Sequence, residues 1–277
     1  MTRNTKVSLV IPAYNEEHYI EANLKAALNQ TIPLFEIIVV DNNSKDSTAA
    51  IVKKFPQVIL LNEEEQGLRV TRNRGMNYAT GDIIGRIDAD TILDSHWCER
   101  VIKLFEDPLT SAVTGPCYYY DMPAKSTSLL FDRLGRSIAF KMGDPILYGS
   151  NMAIRKSVWE KIRGEICMNG EFFEDCDLSI HLYQDGYNII FDNHLTVGVA
   201  ARRLNDSPKV FRQTMAMFDH TFAMHGTKSK SAKTAKFIFS SSYYPLKVLH
   251  KIYDPNSQTI SISKLKNKTR VRPTSNT

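Results

Sequence analysis

The chain has 277 residues, of which 43% are apolar and 23% are charged, and its formal net charge is +5. This composition is ordinary for a globular protein, and the length suits one large α/β domain or two small ones. The four cysteines lack CxxC spacing, which argues against a disulfide framework or a zinc site. The sequence shows no apolar leader and no run long enough to span a bilayer, so we expect a cytoplasmic protein.

Strands and helices alternate through the first third of the chain. Apolar runs predict strands, and apolar residues at helical spacing predict helices. In chain order these are strand 6–12, helix 16–29, strand 35–40, helix 46–55, strand 58–61, helix 67–79 and strand 82–87. Such alternation is typical of a mostly parallel sheet with crossover helices, in which ligands bind beyond the carboxyl ends of the strands.

The later elements are less regular. They are helix 97–105, strands 111–120 and 147–155, helix 176–185, strands 187–191 and 195–200, and a helix from Ser207 through Met224. A further amphipathic helix over 237–253 is expected to be interrupted at Pro245. We therefore predict an α/β domain over 1–205, a helical extension over 206–255 that packs on this domain or on a membrane surface, and a flexible basic tail over 256–277.

The positive charge is concentrated near the C-terminus. Residues 201–277 hold 10 Lys and 5 Arg against 3 Asp and no Glu, a net of +12. Since the whole chain carries +5, residues 1–200 carry −7. This asymmetry suggests an anionic partner for the C-terminal region, with nucleic acid and an anionic membrane surface as the candidates.

Two aspartates, Asp88 and Asp90, follow the apolar run 82–87. Residues i and i+2 of a strand point to the same side, so both carboxylates could hold one divalent cation. Hard oxygen ligands suit Mg²⁺ or Mn²⁺, which usually bind through one or two carboxylates plus substrate phosphates. The alternative is a solvated turn or a helix cap. Asn15 and Asp41 also follow predicted strands, which favours a shared site.

Six blocks, in order, resemble those of glycosyltransferase family 2. They are VSLVIPAYNEE at 7–17, IVVDNNSKDST at 38–48, a block at 67–82 that includes RNRG and ATGD, IDADT at 87–91, GSNMAIR at 149–155 and EDCDL at 174–178. The resemblance covers about residues 6–203. It implies a GT-A fold, which is an α/β, Rossmann-like domain with a mostly parallel sheet. It also implies an inverting, metal-dependent transfer of one sugar from a nucleotide-diphosphate sugar to an acceptor hydroxyl.

The resemblance also implies roles on the donor side. Asp41 would accept a hydrogen bond from a ring N–H of the base, unless it only forms an Asx turn. Arg72 could contact the nucleotide or the diphosphate, although Arg69 and Arg74 compete for that role. The other implied donor-site residues are Pro12, Tyr14, Glu16 and Ala89.

Further roles concern the cation and the acceptor. Asp90, with Asp88, would hold Mn²⁺ or Mg²⁺, which stabilises the leaving diphosphate as a Lewis acid. Asp175, paired with Glu174, is the candidate general base. A helix N-terminus stabilises a charged carboxylate, whereas burial and a second carboxylate favour the neutral form, and the sequence leaves both open. Gly149 could allow close approach to the sugar or acceptor, or could mark a strand bulge.

The chain departs from the family pattern in two places. Many relatives carry a metal-binding His in the stretch that corresponds to 197–203, and here that stretch contains Arg202 and Arg203 instead. These arginines could contact the diphosphate or form a basic surface pair. The Gln-X-X-Arg-Trp motif of processive synthases is absent, which favours a single transfer. The remaining histidines, including His181 and His225, show no ligand spacing and are expected to be structural or on the surface.

Substrates and partners follow from the resemblance. UDP is favoured over GDP in the donor, and the acceptor would be a glycan or a lipid-linked sugar. Peripheral contact with an anionic membrane is an option, an oligomer is compatible with the sequence, and nucleic acid is not expected. Two alternatives are a sugar-nucleotide nucleotidyltransferase, which would need a Gly-rich phosphate loop after the first strand, and a nucleic-acid-binding protein that uses the basic tail.

Overall fold

The computed structural model describes residues 5–123, 125–168, 170, 172–255 and 257–262. The strands are β1 (Val7–Ala13), β2 (Glu36–Asp41), β3 (Val58–Asn62), β4 (Ile83–Arg86), β5 (Ile92–Leu93), β6 (Thr110–Thr114), β7 (Cys117–Tyr119), β8 (Met152–Arg155), β9 (Asn188–Phe191), β10 (Val197–Val199), β11 (Tyr253–Asp254) and β12 (Thr259–Ile260). The helices are α1 (Ile20–Leu28), α2 (Thr48–Val52), α3 (Leu68–Tyr78), α4 (Trp97–Leu104), α5 (Lys125–Lys141), α6 (Lys156–Ile162), α7 (Glu174–Gln184), α8 (Pro208–Met224) and α9 (Lys230–Ile252), with a 3-10 turn at Arg202–Asn205.

A seven-stranded sheet forms the centre of the molecule, in the order β3-β2-β1-β4-β8-β6-β9. β1 runs parallel to β2 and β4, and β3 runs parallel to β2, whereas β8 runs antiparallel to β4 and β6. The predicted α/β fold with a mostly parallel sheet is therefore confirmed. The carboxyl ends of β1, β2 and β4 all meet at one edge, where the candidate site lies.

Helices cover both faces of this sheet, which explains why β1 is buried along its whole length. Leu9 and Ile11 point to one face and pack in a cluster that includes Leu24 of α1. Val10 points to the other face and packs with Met76 of α3. Because both sets of alternating side chains are buried, the strand is a continuous apolar run rather than an alternating one.

Several elements differ from the sequence-based expectations. The predicted strand 111–120 is split into β6 and β7 at Gly115, where a Cβ atom would lie 2.0 Å from the carbonyl oxygen of Leu195. Only the second half of the predicted strand 147–155 is a strand, β8, and a single bridge between Tyr148 and Asn151 precedes it. Neither α5 nor α6 was predicted.

The predicted break at Pro245 is wrong, because α9 runs through this proline. A proline removes one backbone hydrogen bond, and tertiary packing must offset that loss. Tyr243 supplies such packing: it is buried, stacks on Phe211 of α8 at 4.1 Å between ring centroids, and donates a hydrogen bond to the carbonyl of Asp206. The predicted helix that begins at Ser207 is confirmed as α8, and the Ser207 hydroxyl caps it by accepting from the Val210 N–H.

Most of the predicted tail, 256–277, lies outside the described residues, and its part at 257–262 includes β12, which pairs with β11. Across the described parts of the chain, no helix combines the length and apolarity needed to cross a membrane. The four cysteines are free thiols.

Candidate active site

The loops that follow β1 and β2 are bound to each other. Asn15 adopts a left-handed conformation with φ of +54°, which asparagine tolerates better than most residues. Its backbone N–H donates to Ser44 Oγ at 3.0 Å, and its side-chain oxygen accepts from the Lys45 N–H at 2.8 Å. The Glu16 N–H donates to Thr48 Oγ1 at 2.7 Å. These contacts make one continuous wall at the edge of the sheet.

Asp41 is the last residue of β2, and its side chain is buried in this wall. One carboxylate oxygen accepts from the Ser44 N–H at 3.3 Å. The other, Oδ1, is buried and has no hydrogen-bond partner among the described residues. A buried acceptor without a donor is costly, so this oxygen is suited to accept from a ligand. Pro12 lies in buried β1 beside Val40, and Tyr14 follows that strand half-buried.

Asp88 belongs to a buried cluster of charged side chains. Its carboxylate accepts from Arg72 Nη2 at 3.1 Å. Arg72, on α3, also pairs with Glu174, at the start of α7. Arg86, on β4, reaches the same Glu174 carboxylate at 2.9 Å. The cluster therefore joins β4, α3 and α7 around Asp88, and both guanidinium groups contact the same Glu174 oxygen, Oε1.

The two arginines set the charge state of Asp88. Burial alone would raise the pKa of this carboxyl, but Arg72 and Arg86 outweigh it and hold the pKa below its usual value. Burial and the neighbouring Arg72 together lower the pKa of the Arg86 guanidinium to about 9, against the opposing effect of Asp175 and Asp88. Sequence reasoning missed Arg86, although a charged residue inside the apolar run 83–87 was a signal for it.

Asp90 is held by a different arginine. Arg202 Nε donates to Asp90 Oδ2 at 2.6 Å, and its Nη1 donates to both carboxylate oxygens of Glu16 at 3.0 and 2.8 Å. Burial disfavours the charged guanidinium, but Asp90 and Glu16 outweigh it and raise the pKa of Arg202. The guanidinium also lies 4.9 Å from the centre of the Tyr19 ring.

A small second sheet, in the order β5-β10-β7, brings Arg202 to this position. β10 runs antiparallel to β5 with Gly198 opposite Ile92, so continuing the register sets Ala200 level with Asp90. The 3-10 turn that begins at Arg202 follows directly. Many relatives carry a metal-binding histidine in this stretch, whereas this chain places the Arg202 guanidinium beside Asp90.

Asp175 lies at the N-terminus of α7, beside the buried cluster. Its carboxylate accepts from the Gly149 N–H at 3.0 Å and from the Cys176 N–H at 2.9 Å. A Cβ atom on Gly149 would lie 2.7 Å from Arg86 Nη2 and 3.0 Å from Arg72 Nη2. Glycine at this position is therefore explained by the two arginines, and not by a strand bulge, since Gly149 precedes β8.

The remaining arginines point elsewhere. Arg69 donates to the carbonyl of Gly170, and Arg74 lies 3.8 Å from the Glu63 carboxylate. Arg72 is thus the one of the three predicted alternatives that enters the site. Arg203 is exposed, with its guanidinium 5.7 Å from the Phe173 ring, so it does not share the environment of Arg202.

Asp88 and Asp90 offer the hard oxygen ligands that Mg²⁺ and Mn²⁺ prefer. One oxygen of each carboxylate already accepts from a guanidinium, that of Arg72 or that of Arg202. The Asp88 side chain remains 36% exposed. The donor set therefore fits a divalent cation, and that cation would share Asp90 with Arg202. Ala89, between the two aspartates, is buried.

The family model described as "Glycosyl transferase family 2" matches residues 8–163, which is more than half of the chain. The chain belongs to glycosyl transferase family 2. The family predicted from the six sequence blocks is confirmed, and the chain carries a transferase domain.

Individual members of the family match over part of their length. The chain is 32% identical over 208 residues to the probable glycosyltransferase YdaM of Bacillus subtilis, a match that covers 67% of this chain and 48% of that relative. It is 35% identical over 101 residues to the Escherichia coli enzyme named UDP-Glc:alpha-D-GlcNAc-diphosphoundecaprenol beta-1,3-glucosyltransferase WfgD, covering 35% of this chain and 40% of WfgD. The chain spans about half or less of the length of these curated relatives.

Solved structures share the fold. The mannosyltransferase PcManGT of Pyrobaculum calidifontis, solved in complex with GDP-Man and Mn²⁺, aligns with a TM-score of 0.61 at 21% identity, over 95% of this chain and 78% of PcManGT. The fragment 1-349 of TarS of S. aureus aligns with a TM-score of 0.58 at 17% identity, over 86% of this chain and 72% of that fragment. The predicted GT-A fold is therefore confirmed.

Proposed function

We propose that this family 2 member transfers one sugar from a nucleotide-diphosphate sugar to an acceptor hydroxyl, with inversion at the anomeric carbon. Asp175 acts as the general base and a divalent cation assists. The observation that carries the proposal is the position of the Asp175 carboxylate, which two backbone N–H groups fix beside the arginines that hold Asp88. A single base with direct displacement gives inversion.

The donor base would bind against the wall formed by the loops after β1 and β2. The buried Oδ1 of Asp41 accepts a ring N–H, which both uracil and guanine offer. We favour UDP, on the resemblance to the family. PcManGT was solved with GDP-Man and the TarS fragment 1-349 with UDP, so each nucleotide has a precedent in the fold.

The diphosphate would lie between Asp88 and Arg202. When bound, a divalent cation held by Asp88 and Asp90 supplies the charge that stabilises the leaving diphosphate. Arg202 adds a guanidinium suited to phosphate oxygens at the same place. The presence of Mn²⁺ in PcManGT supports a divalent cation of this kind.

Deprotonation of the acceptor is assigned to Asp175. The Gly149 and Cys176 N–H groups stabilise its negative charge and fix its orientation, and each carboxylate oxygen keeps further acceptor capacity. Glu174 has a positioning role, because its carboxylate is enclosed by Arg72 and Arg86 and anchors the first turn of α7.

Replacing Asp175 with Asn tests this assignment. The variant loses the base but keeps the shape of the side chain, so transfer falls by about 10²- to 10⁴-fold while donor binding is retained. Release of nucleoside diphosphate measures transfer, and calorimetry measures donor binding. Asp185→Asn, at the exposed end of the same helix, serves as the control. Turnover at the wild-type rate in Asp175→Asn would reject the base, and release of pyrophosphate would favour a nucleotidyltransferase.

A lipid-linked acceptor at an anionic membrane is the partner we propose, since the name of WfgD includes a diphosphoundecaprenol substrate. Apolar side chains on α5 support it, since Leu130, Phe131, Leu134 and Ile138 are all more than half exposed on a single stretch of helix. Together with the basic C-terminal region, they suit an anionic bilayer.

Liposome flotation at low salt checks this contact. Phe131→Ser, which removes a ring that is 70% exposed, should weaken binding to vesicles that contain phosphatidylglycerol. Leu109→Ser, which removes a side chain that is 73% exposed outside the helices, should not. Absence of binding by the wild type, or equal binding by both variants, would reject the membrane surface.

A further inference from the structure

A second cluster of metal-ligating groups lies about one to two turns along α7 from Glu174. Cys167 precedes this helix, Asp177 and His181 lie on it, and His225 follows α8. One ligand atom of each residue lies within 4.8 Å of the corresponding atom of every other. Within the described residues, this is a meeting point of three separate segments.

Asp177 is the centre of the cluster, and its side chain is fully buried. His225 Nε2 lies 2.8 Å from Asp177 Oδ1, and His181 Nε2 lies 3.6 Å from the same oxygen. The Cys167 N–H donates to Asp177 Oδ2 at 3.1 Å, which holds the thiol-bearing residue against the carboxylate. Asp177 and His181 are four residues apart, the spacing that puts two ligands on one face of a helix.

The two ring nitrogens of His181 give an independent indication of a ligand. Nε2 faces the cluster, is shielded from solvent, and has no hydrogen-bond partner in the part of the chain that the structure describes. Nδ1, on the other side of the ring, lies 3.9 Å from the Glu165 carboxylate. A metal-bound histidine typically has this arrangement, with one nitrogen towards the metal and the other towards a carboxylate.

We propose that Cys167, Asp177, His181 and His225 bind one structural Zn²⁺ ion. A thiolate, two imidazoles and a carboxylate form a four-ligand set that zinc accepts and that Mg²⁺ and Mn²⁺ disfavour. The two anionic ligands balance the charge of the ion, so the buried site is neutral when filled. Tetrahedral zinc with bonds of about 2.0–2.3 Å spaces its ligand atoms roughly 3.3–3.8 Å apart, so shifts of about 1 Å would close the site.

The ion would fix the segment before α7 and the end of α8 to the helix that begins with Glu174 and Asp175. The same two helices already contact each other near Phe173, whose N–H donates to Thr221 Oγ1 at 3.0 Å and whose ring lies 4.3 Å from that of Phe218. Zinc was not expected from the sequence because the ligands come from three segments without CxxC spacing. The only local signal was the spacing of Asp177 and His181.

Metal analysis of the full-length protein tests the proposal. The protein is expressed with added Zn²⁺, desalted into metal-free buffer and measured by mass spectrometry for zinc and other transition metals. Wild type should retain about one zinc per chain, and so should the matched controls His220→Gln, on the exposed face of α8, and Cys98→Ala, in the core. Cys167→Ser and His225→Gln should each lower the zinc affinity by more than about 100-fold. Losing a residue that only hydrogen-bonds to a metal ligand typically lowers the affinity by about 10- to 100-fold.

Cobalt substitution keeps the test decisive if a ligand variant fails to fold. Stripped wild type that is reloaded with Co²⁺ should show intense visible bands of a tetrahedral site and a thiolate-to-cobalt charge-transfer band. Asp88→Asn/Asp90→Asn should show the same spectrum, which separates this site from the one proposed for the donor. Absence of zinc and of the thiolate band in wild type would overturn the proposal, as would undiminished zinc in both ligand variants.

Discussion

The two aspartates of the Asp-X-Asp motif, Asp88 and Asp90, belong to two different arginine–carboxylate clusters. The two clusters differ in composition. The inner cluster consists of Arg72, Arg86, Asp88 and Glu174, so two guanidinium groups face two carboxylates. The outer cluster consists of Glu16, Asp90 and Arg202, so one guanidinium faces two carboxylates. The inner cluster is balanced in charge, whereas the outer one retains an excess of negative charge.

This difference in charge indicates that the two clusters have different roles. The inner cluster joins two helices and a strand in the interior, and its arginine side chains are almost fully buried. We infer that it holds α7 and its Asp175 in place. The outer cluster depends on a residue from the 3-10 turn, and a divalent cation would change its net charge from −1 to +1, which a donor diphosphate would then offset. We infer that it is the part that responds to the donor.

Removing Glu174 should have the largest effect on stability. Glu174→Ala leaves two buried guanidinium groups without their shared partner, so the unfolding free energy should fall by about 3–5 kcal/mol. Urea unfolding of the ligand-free protein measures it. The control Glu160→Ala removes a carboxylate that is 52% exposed and 3.9 Å from Lys156, and it should cost less than about 1 kcal/mol. Equal losses in the two variants would show that the inner cluster is not a framework element.

Removing Arg202 should change ligand binding more than stability. In Arg202→Ala the carboxylates of Asp90 and Glu16 lose the guanidinium that they share, so donor-free protein should bind Mn²⁺ roughly tenfold more tightly, about 1.4 kcal/mol. Calorimetric titration with Mn²⁺ measures the affinity. Arg203→Ala, which removes an exposed neighbour near Phe173, should leave it unchanged. Weaker Mn²⁺ binding by Arg202→Ala would mean that the outer cluster does not hold the cation.

The two clusters also differ in how far the sequence predicted them. Asp88 of the inner cluster follows an apolar run directly, so its place at the sheet edge follows from local pattern and the rule for parallel strands. Arg202 reaches Asp90 only because β10 pairs with β5, and nothing local to residue 202 encodes that pairing. For this reason the sequence alone could not decide whether Arg202 contacts the diphosphate or lies on the surface.

Secondary structure shows the same dependence on context. β1 and α8 were predictable because a buried apolar run and a Ser-Pro cap are local signals. α5 was missed because its apolar residues are largely exposed and do not mark a buried face. The break expected at Pro245 is absent because packing of Tyr243 against α8 offsets a local cost that the sequence alone overweights.

A separate arginine–carboxylate pair, Arg100 and Asp192, lies outside the candidate site. Removing it should have the smallest effect on stability. Arg100 donates through Nε and Nη2 to the two oxygens of Asp192, at 3.0 and 2.5 Å. Burial alone would raise the pKa of Asp192, but Arg100 and the His194 N–H outweigh it and lower the pKa. As the pH falls towards the usual pKa of an aspartate, Asp192 therefore binds fewer protons in the folded chain than in the unfolded chain. The stabilisation is present above that usual pKa and is lost as the pH falls through the lowered pKa of Asp192.

Asp192→Asn should remove this contribution, which we expect to be about 1 kcal/mol because Arg100 is partly exposed. The unfolding free energy, measured in steps from about pH 6 to pH 3, should fall less steeply in the variant than in wild type. Asp185→Asn, at an exposed position that forms no such pair among the described residues, should keep the wild-type slope. An unchanged slope in Asp192→Asn would show that a bidentate arginine alone does not couple a carboxylate to folding in this protein. The strong effect expected at Glu174 would then depend on its burial between two arginines.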